Sequence, residues 1–307
     1  MRTGVVIPVG GGRRENLTLV MDYLMAQTIP PKVVILLYDG PDAEEIPRKH
    51  FPLPTIAVHT TKHQPGMEQP RNVGVRVATE WAAQEGTDLT HIWFLDSDCI
   101  PNRSAMAYYE QAAALAGPDV ILVGPYDWLP PGKREPDPEL RNDPDGIPPP
   151  GRWGRFDSVE PGEVLREDLA AGLACFSGNL VWPVGEFERV GGFWRDIHHG
   201  RCEDGELGLR AVAMGVGITF VRGARAWHLW HERNIEWILR TNAIDVPKIQ
   251  ERHPWRELGQ GGQELFVVEE DGKRFNLRCA CGWEGNTALI WNHEQDCPNG
   301  ITLKPGK

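Results

Sequence analysis

The stretch His91-Ile92-Trp93-Phe94-Leu95-Asp96-Ser97-Asp98 decides how the rest of the chain is read. Ile92 to Leu95 is a short, uninterrupted apolar run that ends abruptly in polar residues. Such a run is the pattern of a strand buried on both faces, the kind found inside a parallel sheet. Residues two apart in extended backbone project to the same side, so Asp96 and Asp98 can face one ligand at the strand's end. Hard carboxylate oxygens suit Mg²⁺ or Mn²⁺, usually shared with substrate phosphates. The alternative is a solvated Asp/Ser turn after a strand.

Working outward, further apolar runs fall at residues 5–9, 33–38, 55–59 and 120–123, and amphipathic stretches separate them. Leu17, Val20, Met21 and Leu24 recur at helical spacing within residues 16–27, which Pro30-Pro31 closes. Helices are also expected at 71–85, with Pro70 in the first turn, and at 104–116. Strands alternating with helices predict an α/β fold, a Rossmann-like, mostly parallel sheet flanked by helices. Ligands of such sheets sit at the carboxyl ends of the strands. Residues 125–161 lose all periodicity and become rich in Pro and Gly, which reads as a functional loop or a linker, and Trp128, Trp153 and Phe156 weigh against a purely solvated linker. Apolar periodicity returns at 174–184, then as a helix at 203–214, strands at 218–221 and 224–230, and a helix at 235–251. Gly259-Gln260-Gly261-Gly262 reads as a hinge. Three parts follow: a main domain over 1–235, a helical extension and hinge over 236–262, and a small module over 263–307.

A second constellation lies about 100 residues after the acidic pair: Ser177-Gly178-Asn179, then Gly191-Gly192-Phe193, then Glu203-Asp204 with Leu207, Arg210 and Gly215. Taken alone, Glu203 and Asp204 read equally well as favourable acids in a helix's first turn. Together with Pro8, Gln27-Thr28, Asp39-Gly40, Arg71-Asn72-x-Gly74 and Asp96-x-Asp98, the order and spacing resemble glycosyltransferase family 2 over residues 3–235. The resemblance implies a GT-A fold and a nucleoside-diphosphate-sugar donor. By match, Pro8, Val9, Asp39 and Arg71 would hold the nucleoside, with Asp96 and Ser97 near its ribose. Asp98 would bind Mn²⁺ or Mg²⁺ through the diphosphate, and Asp204 would be the catalytic base, with Glu203 next in line. The chain departs from the family at Tyr38-Asp39-Gly40, where two adjacent acids are usual.

The expected chemistry calls for these residue types. Breaking the bond from a sugar C1 to a diphosphate builds negative charge, which a divalent ion stabilises. The attacking hydroxyl must lose its proton to a carboxylate on the opposite side, which implies inversion at C1. Trp227-His228-Leu229-Trp230-His231 offers a further metal ligand. If that segment is extended, only one histidine can reach the ion, and His228 is the expected one.

The C-terminal part carries Cys279, Cys281, His293 and Cys297. Asp271-Gly272 predicts a hairpin, and a helix reaching His293 would set His293 and Cys297 on one face. That set reads as a ββα, zinc-finger-like module held by a structural Zn²⁺. The net charge of −11 does not support nucleic-acid binding, although such binding is not excluded for the small module. No window approaches the roughly 18 apolar residues of a membrane span, and the N-terminus reads as a first strand, so a cytoplasmic protein is expected. The acceptor stays open among glycan, lipid, protein and modified nucleobase. Two rival readings are a nucleotidyltransferase that makes a nucleotide-sugar, for which Gly10-Gly11-Gly12-Arg13-Arg14 is a partial phosphate-loop match, and a catalytically inert binding protein with a zinc module.

Overall fold

The computed structural model describes residues 1–41, 51–61, 64–136, 159–198, 202–232 and 235–252, and the backbone of 263–271, 274–279, 284–286 and 301–303. The described residues divide into two units, one running to His231 and the other from Glu232 on.

The first unit runs β1 (Thr3–Val9), α1 (Arg14–Met25), β2 (Val33–Asp39), β3 (Thr55–Thr60), α2 (Pro70–Gln84), β4 (His91–Leu95), β5 (Cys99–Pro101) and α3 (Ala105–Ala116). It continues with β6 (Val120–Val123), β7 (Tyr126–Trp128), α4 (Leu169–Leu173), β8 (Asn179–Pro183), α5 (Val184–Val190), α6 (Glu203–Ala213), β9 (Gly217–Phe220) and β10 (Ala226–His228). Seven strands form one sheet in the order β3-β2-β1-β4-β8-β6-β9. All neighbours are parallel except β8, which runs antiparallel to both β4 and β6. The apolar runs are strands because both their faces are covered: Val5, Ile7, Ile35, Leu36, Trp93 and Phe94 are all fully buried. On α1, Leu17, Val20, Met21 and Leu24 are likewise fully buried, each contributing about 1.5–3 kcal/mol of apolar burial.

Three features differ from the sequence reading. The run at 174–184 supplies the antiparallel β8, since an apolar segment carries no mark of strand direction. The stretch expected to be loop from residue 125 starts with β7, too short to show alternation. Within 224–230 only Ala226–His228 is strand, and it joins a separate three-stranded sheet, β5-β10-β7. A helix, α5, follows β8 directly and ends at Gly191, whose φ of +90° is the left-handed cap position glycine favours.

Several family-like motifs are fold devices. Gly74 lets α2 lie against the sheet, because a Cβ there would stand 2.5 Å from Val6 Cγ1. The Asn72 side chain donates to the Phe193 carbonyl and accepts from its N–H, both at 2.9 Å, which fixes the Gly191-Gly192-Phe193 turn onto α2. Arg210 grips Glu206 and donates to the Val190 carbonyl at 2.8 Å, joining α6 to the end of α5. Gln27 bonds the Asn102 carbonyl and accepts from Met106 N–H, joining α1 to α3.

In the second unit, α7 (Ile235–Arg252) precedes a four-stranded sheet. Its strands are β11 (Gln263–Asp271), β12 (Arg274–Cys279), β13 (Glu284–Asn286) and β14 (Ile301–Leu303), in the order β13-β12-β11-β14. The expected hairpin is present, with Asp271 paired to Arg274 across it. Cys279 closes β12. Cys281, His293 and Cys297, the expected helix that carries the last two, the glycine hinge, Trp153 and Phe156 lie outside the described residues. Among the described residues no helix is long and apolar enough to cross a membrane.

Asn179 is the polar centre of the main core. Its Oδ1 accepts from Trp93 Nε1 at 3.0 Å and from the Tyr109 hydroxyl at 2.8 Å, and its Nδ2 donates to the carbonyls of Ala224 and Pro125. Asn179→Leu should cost about 3 kcal/mol or more in urea unfolding, since several buried groups lose their partner at roughly 1–3 kcal/mol each. Tyr109→Phe, which leaves Asn179 Oδ1 bonded to Trp93, should cost about 1 kcal/mol. Equal effects from the two variants would refute the network reading.

Candidate active site

Strands β1, β2 and β4 lie side by side with their carboxyl ends together, and the acidic pair follows the last of them. β4 leads into a tight turn in which Cys99 N–H donates to the Asp96 carbonyl at 3.0 Å. The next strand, β5, then pairs with β10 so that Cys99 faces His228 across the ladder. The Leu229 N–H donates to the Asp98 carbonyl at 2.7 Å, locking the end of β10 onto the acidic turn.

Asp98 therefore meets both histidines. His228 Nε2 lies 3.6 Å from Asp98 Oδ1, and His231 Nε2 lies 3.6 Å from Asp98 Oδ2. Ligand atoms of all three fall within 4.8 Å of one another. The expectation that only one histidine reaches this point is corrected: β10 ends at His228, so strict alternation lapses before His231. His228 Nδ1 is 2.8 Å from the Leu229 carbonyl, which can only accept, so Nδ1 is the donor there and Nε2 is the ring nitrogen left facing Asp98. Trp128, opposite His228 in the ladder, stacks on its ring at 3.8 Å. One carboxylate and two imidazoles form a donor set that fits a divalent transition ion better than Mg²⁺. A second cluster of Asp96, Asp98 and Cys99 is a poorer candidate. Burial and the neighbouring carboxylates push the Cys99 thiol well above its ordinary range, so it keeps its proton.

The second constellation approaches from α6. Glu203 and Asp204 open that helix, and α2 faces them with Arg71. Arg71 is 4% exposed; its Nη2 donates to Asp96 Oδ1 at 2.6 Å and its Nη1 to Glu203 Oε1 at 3.4 Å. Its guanidinium also lies over the Phe193 ring, 5.7 Å from the centroid. Arg71, expected at the nucleoside, is a buried cation tying two carboxylates together. Glu203, expected next in line as base, is 1% exposed and engaged by Arg71.

Asp204 is different. Its Oδ1 is closed off from solvent and has no hydrogen-bond partner among the described residues. Burial and the adjacent Glu203 push its carboxyl up to about 7, against the opposing pull of Arg71 and the Ser177 hydroxyl. A carboxylate with that affinity for protons suits general-base work near neutral pH.

The other expected donor-binding residues line the strand ends. Pro8 is half-buried near the end of β1. The Val9 side chain belongs to the core, which leaves only its backbone to a ligand. Asp39 ends β2, half-buried, and accepts from Thr60 Oγ1 at 3.2 Å. Ser97 is buried within the acidic turn. The sequence reading missed one contact at the site: Arg13, in the loop after β1, donates to Asp98 Oδ2 at 2.5 Å.

Two substitutions should move stability in opposite directions. Arg71→Met strands a buried acid without its counter-charge and should cost about 3–5 kcal/mol at pH 8. Asp204→Asn removes a carboxylate whose folded-state pKa is raised, and whose ionisation therefore lowers stability as pH climbs through about 7. It should unfold at higher urea than the wild type at pH 8 and show little difference at pH 4. Urea titrations at the two pH values check both.

No protein-family model matches the sequence, and no curated protein matches it. Solved structures do match. S. aureus TarS 1-349 in complex with UDP-GlcNAc superposes with a TM-score of 0.52 at 13% identity, over 76% of this chain and 60% of that one. The mannosyltransferase PcManGT from Pyrobaculum calidifontis, in complex with GDP-Man and Mn²⁺, gives 0.51 at 14% identity, over 80% of this chain and 64% of that one. The chain thus spans under two thirds of either neighbour. The sheet order with its one antiparallel strand, the acidic turn after β4 and these likenesses agree: the chain has a GT-A-like fold.

Proposed function

We propose that the first unit is a metal-dependent glycosyltransferase that moves a sugar from a nucleoside-diphosphate-sugar to an acceptor hydroxyl, with inversion at C1. The observation that carries this reading is the convergence of Asp98, His228 and His231 at the carboxyl end of β4. The ligands named for the two neighbours, UDP-GlcNAc and GDP-Man with Mn²⁺, support a nucleotide-sugar donor.

Asp98, His228 and His231 would hold Mn²⁺. When bound, the ion neutralises charge that gathers on the departing diphosphate. The chain's own groups do the rest. Asp39 at the end of β2 and the backbone around Val9 at the end of β1 are suited to the nucleoside, being at the same carboxyl-end side of the sheet as the acidic turn after β4. Asp96 is fixed by Arg71, so it meets the donor in one orientation and loses no entropy in doing so. Asp204 takes the proton of the attacking hydroxyl. Its buried, unpartnered Oδ1 keeps the carboxylate basic, and Glu203 maintains that basicity by repulsion while Arg71 holds Glu203 in place.

Donor turnover, measured across UDP- and GDP-sugars, tests the reading. Asp98→Ala and excess EDTA should each remove nearly all activity. Asp204→Asn should bind donor as the wild type does while slowing turnover by at least roughly 10²-fold, the usual reach of general-base catalysis. The wild-type rate should fall as pH drops through about 7, where Asp204 gains its proton. Full turnover in EDTA would overturn the metal assignment, and an unchanged rate in Asp204→Asn would move the base elsewhere.

A further inference from the structure

The Arg13 contact needs an account. Arg13 Nη1 bonds the same oxygen, Asp98 Oδ2, that faces His231 Nε2. Asp98 is 5% exposed, so its charge is poorly screened and its preference among cations is strong. A guanidinium on Oδ2 and a divalent ion bound to the same carboxylate repel one another. Asp96 offers less relief, because its Oδ1 is already engaged by Arg71. With the ion and Arg13 both present, the cluster carries more positive charge than Asp98 can offset. The two negative charges of a diphosphate diester would restore the balance.

The backbone around Arg13 suits a side chain that changes partners. Gly10 and Gly12 have open space where a Cβ would stand, and Gly12 takes a φ of +70°. The Arg13 carbonyl, by contrast, accepts from Leu17 N–H at 2.8 Å, which anchors the residue to the start of α1. The loop before it is unencumbered, while the partly exposed side chain extends from an anchored backbone.

We propose that Arg13 is a resident counter-cation of the metal cluster, occupying Asp98 until a diphosphate arrives to receive the guanidinium. Arg13 is then a positioning residue that couples divalent-ion binding to donor binding: neither is tight alone, and each strengthens the other. This deepens the glycosyltransferase reading and rests on its metal site. A thermodynamic coupling of this kind is reciprocal, so it is measurable from either ligand.

The test is calorimetric titration of the full chain with Mn²⁺ alone, and with Mn²⁺ in the presence of saturating UDP or GDP. In the wild type, whichever nucleoside diphosphate binds should tighten Mn²⁺ by about tenfold or more, the scale of one partly buried ion pair. Arg13→Met should bind Mn²⁺ alone about tenfold more tightly than the wild type and lose most of the enhancement. Arg13→Lys, which keeps the charge, should retain much of it. If Arg13→Met binds Mn²⁺ alone no better than the wild type while Asp98→Ala abolishes binding, the counter-cation is refuted and the metal site stands. If Asp98→Ala binds Mn²⁺ as the wild type does, the metal site itself is wrong and the counter-cation falls with it.

Discussion

A buried guanidinium cannot be left without negative charge, and that constraint organises the site. Arg71 sits on α2, Asp96 follows β4, and Glu203 opens α6, so three elements distant in sequence are joined at one cation. Ion pairs this deep are weak contributors to net stability, because desolvating the partners offsets most of their attraction. Their value lies in specificity: the helix starts and the strand end can meet in only one relative placement. Asp204 is next to Glu203 in the chain, so the same clasp sets its position without occupying it.

A division of labour runs through the family-like motifs of the sequence. Asn72, Gly74, Gln27 and Arg210 hold elements to one another. The groups proposed for chemistry lie at the ends of elements: Asp98 just past β4, Asp204 in the first turn of α6, His228 as the last residue of β10 and His231 just beyond it. The Asn179 network serves the same end from below, since Trp93 in β4 and the carbonyls of Pro125 and Ala224, which flank β7 and β10, are all bonded to it.

Most of the fold was legible because its signals are local. Each main-sheet strand is an apolar run bounded by turn residues, and α1 shows its buried face in the spacing of Leu17, Val20, Met21 and Leu24. The antiparallel sense of β8 was not legible, because direction depends on the path of the chain before Asn179. The three-residue strands β5, β7 and β10 are too short to carry a period. At the site, Asp96, Asp98 and Asp204 stood out by position after a strand or at a helix start. Arg71 was noticed but its burial was not legible, since burial of a charge cannot be read from a residue's identity. His231 was misjudged because the alternation rule was extended past the end of β10. Arg13 went unassigned at the metal cluster because nothing in a glycine-rich turn says which way the following side chain points.

The placement of β8 bears on synthesis. Strands β1 to β4 emerge from the ribosome early and can pair at once, leaving the inner edge of β4 bare. Its partner comes much later: Trp93 and the Asn179 that receives its indole N–H are 86 residues apart. Until then the nascent chain presents Ile92, Trp93, Phe94 and Leu95 on an open edge, the form most prone to pairing with another molecule. The strand that completes the sheet therefore also ends a period of exposure, one during which a chaperone, or slow synthesis through the proline-rich stretch, would decide the yield of folded protein.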